Sequence, residues 1–187
     1  MKTTKNWYLL SAGFIAGLVL AGYAVVSHEA RAAEAKKSAE QRLTEMEDME
    51  QIRNLLSRYM HYLDARDMVK YSELFTEDGV VVADQGTWNG RAEMQTMFQP
   101  RKRPDGTLSA GGPPRPMLHQ VIDSIIKVNG NEARHWGKYF AFFPSEKQGE
   151  RPTVSGLGGY NDFLVKKDGV WYFKRREILH ANPKIEF

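Results

Sequence analysis

Apolar residues recur at helical spacing over roughly five turns where the folded region begins. The positions are Leu43, Met46, Met49, Ile52, Leu56, Tyr59 or Met60, and Leu63. A helix with so long an apolar face must bury that face against a second layer of structure. The pattern predicts that this helix ends near Asp64. A second short helix then follows, with Asp67 as its N-cap.

The rest of the chain reads mainly as β-structure. A turn is predicted at residues 76–79, a strand from residue 80, and a third short helix over residues 91–98. Two hairpins follow, with strands at 117–128 and 132–143 and then at 153–166 and 170–179. Helices followed by long antiparallel strands predict an α+β fold, in which a curved sheet wraps the long helix as a conical barrel. The Pro-rich segment 99–116 is predicted to be a long loop that is either functional or disordered.

The N-terminal segment predicts a location outside the cytoplasm. Residues 7–26 carry no charge and follow Lys2 and Lys5, and a helix of that length is roughly 30 Å long, enough to span a bilayer. It is either an uncleaved anchor or a signal peptide cleaved after Ala32. The predicted organisation is therefore a membrane segment (1–26), a spacer (27–42) and a domain (43–187) that faces the periplasm.

Composition excludes several classes of function. There is no cysteine, so disulfides and thiolate chemistry are excluded, and the histidines at 28, 61, 119, 135 and 180 lack the spacing of a metal site. No glycine-rich loop opens a helix, so no phosphate-bearing cofactor is predicted. The net charge is only +3, and the aromatic residues do not interleave with Lys and Arg, which argues against nucleic acid as a partner.

Asp64 is the first candidate for chemistry. In the last turn of a helix its carboxylate faces the negative end of the helix dipole, which favours a proton or a cationic partner. His119, far downstream, is a candidate partner, and the two would form a dyad that transfers protons without a metal or cofactor. The alternative is a salt bridge from Asp64 to Arg66 or Lys70 at the helix junction.

Strand alternation places His119 on the less apolar face of its strand. It shares a face with Val121 and Ile125, whereas the more apolar face carries Ile122 and Ile126. The more apolar face is expected to be the buried one. A bulge in the strand, or a polar pocket at one end of the cone, would reconcile a functional His119 with this pattern. Otherwise His119 is an exposed strand histidine.

Arg176 is a candidate in the last strand. Alternation groups it with Lys174 and Tyr172 and points it away from Trp171 and Phe173. Inside the cone, its guanidinium would hold an oxyanion or a leaving hydroxyl. A solvated cationic strand end is the alternative.

Segments along the chain resemble the SnoaL-like branch of the nuclear transport factor 2-like superfamily. They are RYMHYLDARDMVKYSELFTEDGVVV, NGR, HQVIDSIIKVNGNEA and GGYNDFLVKKDGVWYFKRRE. The resemblance covers residues 46–178. The resemblance implies a conical α+β barrel, often dimeric through its sheet. It also implies that the chain is related to cofactor-independent lyases such as scytalone dehydratase, bile-acid 7α-dehydratase and γ-hexachlorocyclohexane dehydrochlorinase.

Transferred by position, the resemblance assigns catalytic roles to Asp64 at the end of the first helix and to His119 at the start of the strand after the loop. Tyr59, five residues before Asp64, stands where these enzymes use Lys or Tyr. The absence of Lys there argues against chloride as the leaving group. Arg176, five residues past Trp171, matches the dehydrochlorinase arginine.

The expected function is proton abstraction and elimination or isomerisation on a small hydrophobic molecule. The candidate catalytic residues are Asp64, His119, Tyr59 and Arg176, and the candidate substrate-binding residues are Tyr139 and Tyr160. The alternative is a non-catalytic ligand-binding or protein-interaction domain of the same fold at the cell envelope. A homodimer is a further expectation.

Overall fold

The computed structural model describes residues 37–100, 102, 105–108, 117–145, 147 and 149–180. The described elements are α1 (Ala39–Ala65), α2 (Met68–Glu73), β1 (Phe75–Ala83), β2 (Gly86–Asn89), α3 (Gly90–Met94), β3 (Leu118–Asn129), β4 (Glu132–Phe143), β5 (Thr153–Lys167) and β6 (Val170–Leu179). No helix among them is long and apolar enough to cross a bilayer. The predicted membrane segment at 7–26 and most of the predicted loop at 99–116 lie outside the described residues. The described residues from Glu45 onward form one compact unit, and the fold below is that of this unit.

A single six-stranded sheet forms one layer of the domain, in the order β2-β1-β6-β5-β4-β3. Neighbouring strands are antiparallel except β1 and β6, which run parallel. The sheet curves around the helices without closing, so β2 and β3 are its edges. The predicted α+β cone is confirmed, in a form that stays open on one side.

The core lies between α1 and the inner face of the sheet. Buried residues from both layers include Ile52, Leu55, Leu56, Tyr59, Leu63, Tyr71, Phe75, Tyr160, Leu164, Trp171 and Phe173. The predicted apolar stripe is confirmed from Ile52 to Leu63, but Met46 is 61% exposed. Asp48 is buried instead, because its carboxylate accepts hydrogen bonds from the Lys166 ammonium (2.7 Å) and the Trp171 indole (2.9 Å).

The segment predicted as a turn, residues 76–79, is part of β1. Its pairing with β6 is interrupted there, since the ladder passes from Phe75 opposite Phe173 to Val80 opposite Arg175. Gly79 lies within this irregularity, where a Cβ atom would come 2.9 Å from Phe75 Cβ. The prediction failed because turn-forming residues also serve to bulge a strand. Two smaller errors are the third helix, which ends at residue 94, and β2, which was not predicted.

A β-bulge at Asp123 reverses the alternation within β3. The ladder between β3 and β4 skips Asp123, whose φ is 46°, in the left-handed region that Asp tolerates better than most residues. His119 and Val121 therefore reach the inner face before the bulge, and Ser124 and Ile126 reach it afterwards. The bulge is the feature that reconciles an inward His119 with an apolar strand.

A second bulge, at Lys174 in β6, changes the position of Arg176. The ladder between β5 and β6 pairs Phe173 and then Arg175 with successive residues of β5, so Lys174 has no opposite partner in it. Arg176 consequently shares the inner face with Trp171 and Phe173 and is fully buried. The predicted orientation of Arg176, away from these aromatic residues, was wrong because simple alternation does not allow for the extra residue.

Candidate functional site

The C-terminus of α1 holds Asp64 in a defined position. Arg66 takes a left-handed conformation (φ 56°), and its N–H donates to the Leu63 carbonyl (3.1 Å), while the Asp67 N–H donates to the Tyr62 carbonyl (2.9 Å). These two bonds form a Schellman cap, which satisfies carbonyls at the end of the helix. Asp64 thus lies in a closed last turn, with its side chain free to reach across to the sheet.

Asp64 and His119 form a tight pair. The His119 Nδ1 atom lies 2.6 Å from Asp64 Oδ1, and the His119 backbone N–H donates to Asp64 Oδ2 over 3.1 Å. Both carboxylate oxygens therefore bind the same residue, which fixes the imidazole ring against α1. Lys70, considered above as an alternative partner, pairs with Asp67. The predicted pairing of Asp64 with His119 is therefore present, and its role in catalysis stays a prediction.

The pair is partly exposed. The side chains of His119 and Asp64 are 11% and 17% exposed, so both residues retain some contact with solvent. An ionised Asp64 requires the proton of a neutral imidazole to be on Nδ1. His119 Nε2 then has a lone pair, and it has no hydrogen-bond partner among the described residues. That nitrogen can accept a proton from a bound molecule.

The other predicted residues continue from the dyad into the cone. The His119 and Tyr139 rings are 6.5 Å apart, and Tyr139 stacks on Tyr160 at 4.7 Å. The Arg176 guanidinium carbon lies 4.2 Å from the Tyr160 ring centre and 3.8 Å from that of Tyr59. All six candidate residues therefore form one continuous line of contacts, which we call the inner column: Asp64, His119, Tyr139, Tyr160, Arg176 and Tyr59.

Two tyrosines of the inner column, Tyr139 and Tyr160, are buried, with 8% and 1% of their surface exposed. Neither Tyr139 nor Tyr160 uses its hydroxyl in a hydrogen bond with any residue that the structure describes. Burial raises the pKa of both phenols, of Tyr160 well above its usual value, with a further contribution from Tyr59. Both stay protonated at neutral pH and can donate to an oxygen atom of a bound molecule.

Tyr59 lies at the base of the inner column. It is fully buried, its hydroxyl accepts a hydrogen bond from Tyr71 over 3.2 Å, and burial raises its pKa despite the nearby charge of Arg176. Its ring packs against both Tyr160 and Phe173. In this structure Tyr59 supports the tyrosine above it and does not itself reach the rim.

A second histidine–aspartate pair, missed by the sequence analysis, lies beneath the dyad. His135 Nδ1 is 2.6 Å from Asp162 Oδ2, and Arg176 donates to the same carboxylate through Nε (2.8 Å) and Nη2 (2.6 Å). His135 Nε2 lies 3.0 Å from Ser124 Oγ. We call these four residues, Ser124, His135, Asp162 and Arg176, the buried row. Alternation with Tyr160 places Asp162 on the inner face of β5, but that pattern does not indicate its pairing with Arg176.

The charges of this buried row balance one another. Burial alone would raise the pKa of Asp162, but the Arg176 guanidinium and the hydrogen bonds from Arg176 and His135 together hold it below the usual value. Burial likewise opposes the charge on Arg176, and Asp162 more than offsets this, so the pKa of Arg176 is raised. Arg176 Nη1 has no hydrogen-bond partner in the described part of the chain. Direct contact between Arg176 and a substrate stays a prediction.

A separate surface groove of about 590 Å³ lies between α2 and α3. Its lining includes Arg66, Met68, Gln95 and Phe98, and neither Asp64 nor His119 is part of it. The groove is wide open and distinct from the dyad. The chemistry-bearing groups of the described residues are concentrated instead along the inner column.

Comparison by sequence identifies one family. The profile of the SnoaL-like domain matches residues 44–177, which include most of α1 and all of the sheet except the last two residues of β6. No curated protein gives a significant match by sequence. The matched region contains all six residues of the inner column.

Solved structures with the same fold come from several bacteria. An NTF2-like protein with a cystatin-like fold from Novosphingobium aromaticivorans is 21% identical, covering 81% of this chain and 94% of the other, with a TM-score of 0.61. A second protein from that organism, provisionally assigned as a scytalone dehydratase, is 25% identical over 76% and 92%, with a TM-score of 0.55. ActVI-ORFA from Streptomyces coelicolor is 18% identical over 71% and 96%, with a TM-score of 0.57. These similarities establish the cone-shaped fold.

Proposed function

Because the chain belongs to the SnoaL-like domain family, we propose that it is a cofactor-independent lyase or isomerase that removes a proton from a small, largely apolar molecule. His119 is the base and Asp64 orients it. The observation that carries this proposal is the 2.6 Å pairing of His119 Nδ1 with Asp64, which leaves Nε2 available. The provisional assignment of a structural relative as a dehydratase supports the same class of reaction.

The proposed step begins with a C–H bond next to a carbonyl group of the substrate. His119 Nε2 takes the proton, and the electron pair of the C–H bond moves into the carbonyl to form an enolate. Asp64 stabilises the imidazolium ion that results. The imidazolium then returns its proton, either to another carbon, which isomerises the substrate, or to a departing hydroxyl group, which leaves as water.

The tyrosines complete the proposed site. The Tyr139 and Tyr160 hydroxyls are donors with no hydrogen-bond partner among the described residues, and they can stabilise negative charge on the enolate oxygen. Tyr59 and Arg176 lie deeper, and we propose that they hold Tyr160 in place.

Deuterium exchange tests the proposal without knowledge of the natural substrate. Purified protein is incubated in D2O with 2-tetralone, and incorporation of deuterium next to the carbonyl is followed by NMR. We expect exchange faster than in buffer, and a loss of about 10²–10⁴-fold in His119→Ala, the range typical of general-base catalysis. His61→Ala is the matched control, because His61 is an exposed histidine on α1. Equal rates in the wild type and His119→Ala would refute the assignment of the base.

The proposed role of Asp64 in orienting His119 is tested separately, by NMR of the imidazole ring. In the wild type, the ¹⁵N chemical shifts of the neutral His119 ring are expected to show the proton on Nδ1. In Asp64→Asn, an amide of the same shape, this preference weakens and exchange slows. A folded Asp64→Asn variant with unchanged ring shifts and unchanged exchange would show that Asp64 does not orient the base.

A non-catalytic ligand-binding function is the second candidate. It is favoured by the stacked pair Tyr139 and Tyr160, which offers flat aromatic surface and two hydroxyl groups irrespective of any reaction. The two functions separate in one comparison. Binding of 2-tetralone without any exchange above buffer would favour the ligand-binding function over catalysis.

We also propose that the domain works outside the cytoplasm, on the strength of the uncharged segment 7–26 and the lysines before it. Cell fractionation and mass spectrometry of the mature N-terminus distinguish a membrane anchor from cleavage after Ala32. The homodimer stays a prediction. Exposed Ile122 and Leu157 lie on the outer face of the sheet, and analytical ultracentrifugation of the domain tests whether two copies meet there.

A further inference from the structure

We infer that Ser124 is the nucleophile of a second reactive site, in which His135 and Asp162 activate its hydroxyl group towards small esters. The site hydrolyses an ester to a carboxylic acid and an alcohol. This activity goes beyond the proposed function, because none of the three residues takes part in the chemistry at His119. They belong to the buried row, and they were not among the candidate site residues of the sequence analysis.

The three side chains are hydrogen-bonded in the order that activates a serine. His135 Nδ1 lies 2.6 Å from Asp162 Oδ2, and His135 Nε2 lies 3.0 Å from Ser124 Oγ. A hydroxyl on one imidazole nitrogen and a carboxylate on the other form a catalytic triad, which is recognised by its geometry and not by its order in the sequence. The residues lie on β3, β4 and β5, so no local sequence motif marks them.

Charge balance fixes the direction of these hydrogen bonds. Asp162 carries a negative charge and Arg176 a positive one, and both side chains are fully buried. A neutral His135 therefore leaves the row without net charge. Its proton lies on Nδ1, where Asp162 accepts it, so Nε2 has a lone pair and accepts the hydroxyl proton of Ser124. His135 is thus in the form that removes a proton from the serine.

Gly137 provides the space in which His135 meets Ser124. It lies opposite Ser124 in the ladder between β3 and β4. A Cβ atom on Gly137 would lie 2.8 Å from His135 Cε1 and 2.9 Å from His135 Nε2. Gly137 is not among the residues with positive φ, so its backbone conformation does not require glycine. The position of the imidazole ring is what requires a residue without a side chain here.

Ser124 differs from the rest of the buried row in its exposure. His135, Asp162 and Arg176 are completely buried, whereas Ser124 is an exposed residue. It lies on β3, an edge of the sheet, at the open side of the cone. A substrate can therefore reach the serine from solvent while the base and the carboxylate stay fixed in the core.

The surroundings of Ser124 favour a small, uncharged ester with an apolar acyl group. Val121 and Ile126 lie on the inner face of β3 on either side of Ser124, and both are partly exposed while they pack against the core. They offer apolar surface to the acyl chain. No described strand pairs with the free edge of β3, and the N–H groups there can donate to the ester carbonyl oxygen as it becomes negative.

The reaction has two steps. Ser124 Oγ attacks the carbonyl carbon, and its proton passes to His135 Nε2. The bond to the alcohol oxygen then breaks, the alcohol leaves with that proton, and the acyl group remains on Ser124 as an ester. Water attacks this ester with the same help from His135, which releases the carboxylic acid and restores the hydroxyl group. Asp162 holds the imidazole in place and is a positioning residue.

A serine-directed probe tests the inference. The protein is treated with an alkyl fluorophosphonate, which forms an Oγ–P bond with an activated serine and loses fluoride, and peptide mass spectrometry identifies the modified residues. We expect Ser124 to react at least about 100-fold faster than Ser155. Ser155 is the matched control, because it is an exposed strand serine whose hydroxyl donates to the Met117 sulfur.

The role of His135 is tested with the same probe. His135→Gln should slow the labelling of Ser124 by about 10²–10⁴-fold. Labelling of urea-unfolded wild type serves if this variant does not fold, and there Ser124 should lose its preference over Ser155.

Ester hydrolysis separates this site from the dyad. Release of nitrophenol from p-nitrophenyl butyrate is measured in the wild type, Ser124→Ala, Ser155→Ala and His119→Ala. We expect Ser124→Ala to lower the rate by about 10²-fold or more. Ser155→Ala should hydrolyse the ester as fast as the wild type.

Four results would overturn the inference. Ser124 would react no faster than Ser155, or it would keep its reactivity in folded His135→Gln or in unfolded protein. Ester turnover that survives in Ser124→Ala and disappears in His119→Ala would belong to the dyad. Labelling of Ser124 without ester turnover would overturn hydrolysis as its function. Deuterium exchange at His119 is a separate measurement, so either proposal can fail while the other stands.

Discussion

Asp162 and Arg176 lie directly opposite each other on β5 and β6, and two hydrogen bonds of 2.8 and 2.6 Å join their side chains. Both side chains are completely buried. A fully buried ion pair is tolerated only while both charges are present, because each charge compensates the other where water cannot. Tyr59 and Tyr160 pack on the guanidinium, so the pair also supports the residues that lead up to the dyad.

Removing one member of this pair is expected to be more damaging than removing both. Arg176→Met leaves the Asp162 carboxylate buried without its cation, and we expect the free energy of unfolding to fall by about 3–5 kcal/mol. The double variant Asp162→Leu with Arg176→Met should recover at least half of that loss. Urea unfolding of the single and double variants measures both values. A double variant as unstable as the sum of its two single variants would show that the charges do not compensate each other.

Acid should destabilise the domain partly through Asp162. Its pKa is lower in the folded protein than the ordinary value of 3.8, so the folded state favours the ionised carboxylate. The resulting stability is complete above the ordinary value and is lost as the pH falls through the lower folded value. In Asp162→Asn, the free energy of unfolding should fall less steeply below about pH 4. Identical acid slopes for the two proteins would contradict this.

Alkali should destabilise the domain through its buried tyrosines. Burial raises the pKa values of Tyr59, Tyr71 and Tyr160 above the usual value of 10.0. Stability from their protonated forms is complete below that value and is lost as the pH rises, because the unfolded chain ionises first. We expect the melting temperature to fall steadily above about pH 10. Tyr71→Phe, which keeps the ring, should reduce the slope, and an unchanged slope would exclude Tyr71 as a contributor.

Asp48 should stabilise the end of the cone that lies far from the dyad. Its carboxylate is 4% exposed and accepts hydrogen bonds from Lys166 and Trp171, joining α1 to the hairpin of β5 and β6. Asp48→Ala leaves the indole N–H buried without an acceptor, and we expect a loss of about 2–3 kcal/mol in chemical denaturation. Asp48→Asn keeps an acceptor for the indole and should lose about half as much. If the two variants are equally stable, the hydrogen bond to Trp171 contributes nothing.

Much of the fold could be predicted from local patterns. The bounds of β4 and β6 were predicted correctly and those of β3 and β5 to within one residue, because two turn-flanked hairpins leave little choice of register. Asp67 was correctly identified as the N-cap of α2, where it accepts the Lys70 N–H. The prediction of the dyad rested on two observations. One was a carboxylate at the end of a helix, and the other was a resemblance that matched His119 to a catalytic position.

What could not be predicted depends on single extra residues. Alternation misplaced Arg176 because it cannot foresee the bulge at Lys174, and the bulge at Asp123 was only one of two explanations offered for His119. Asp162 was overlooked because each residue was considered along its own strand. Its importance arises from Arg176, which lies across the next ladder. Ladder pairing between residues distant in sequence is information that a one-dimensional pattern does not contain.

The bulge at Asp123 has a practical consequence for the alignment of relatives. β3 behaves as two short segments of opposite phase, one that carries His119 and another that carries Ser124. A gap placed on the wrong side of residue 123 would equate the proposed base with an outward-facing neighbour in another sequence. Family members should therefore be aligned separately on either side of this position before a histidine is counted as conserved or lost. Deleting Asp123 from the molecule itself would remove the bulge and leave both segments on their present faces, because Ile122 and Ser124 already pair with adjacent residues of β4.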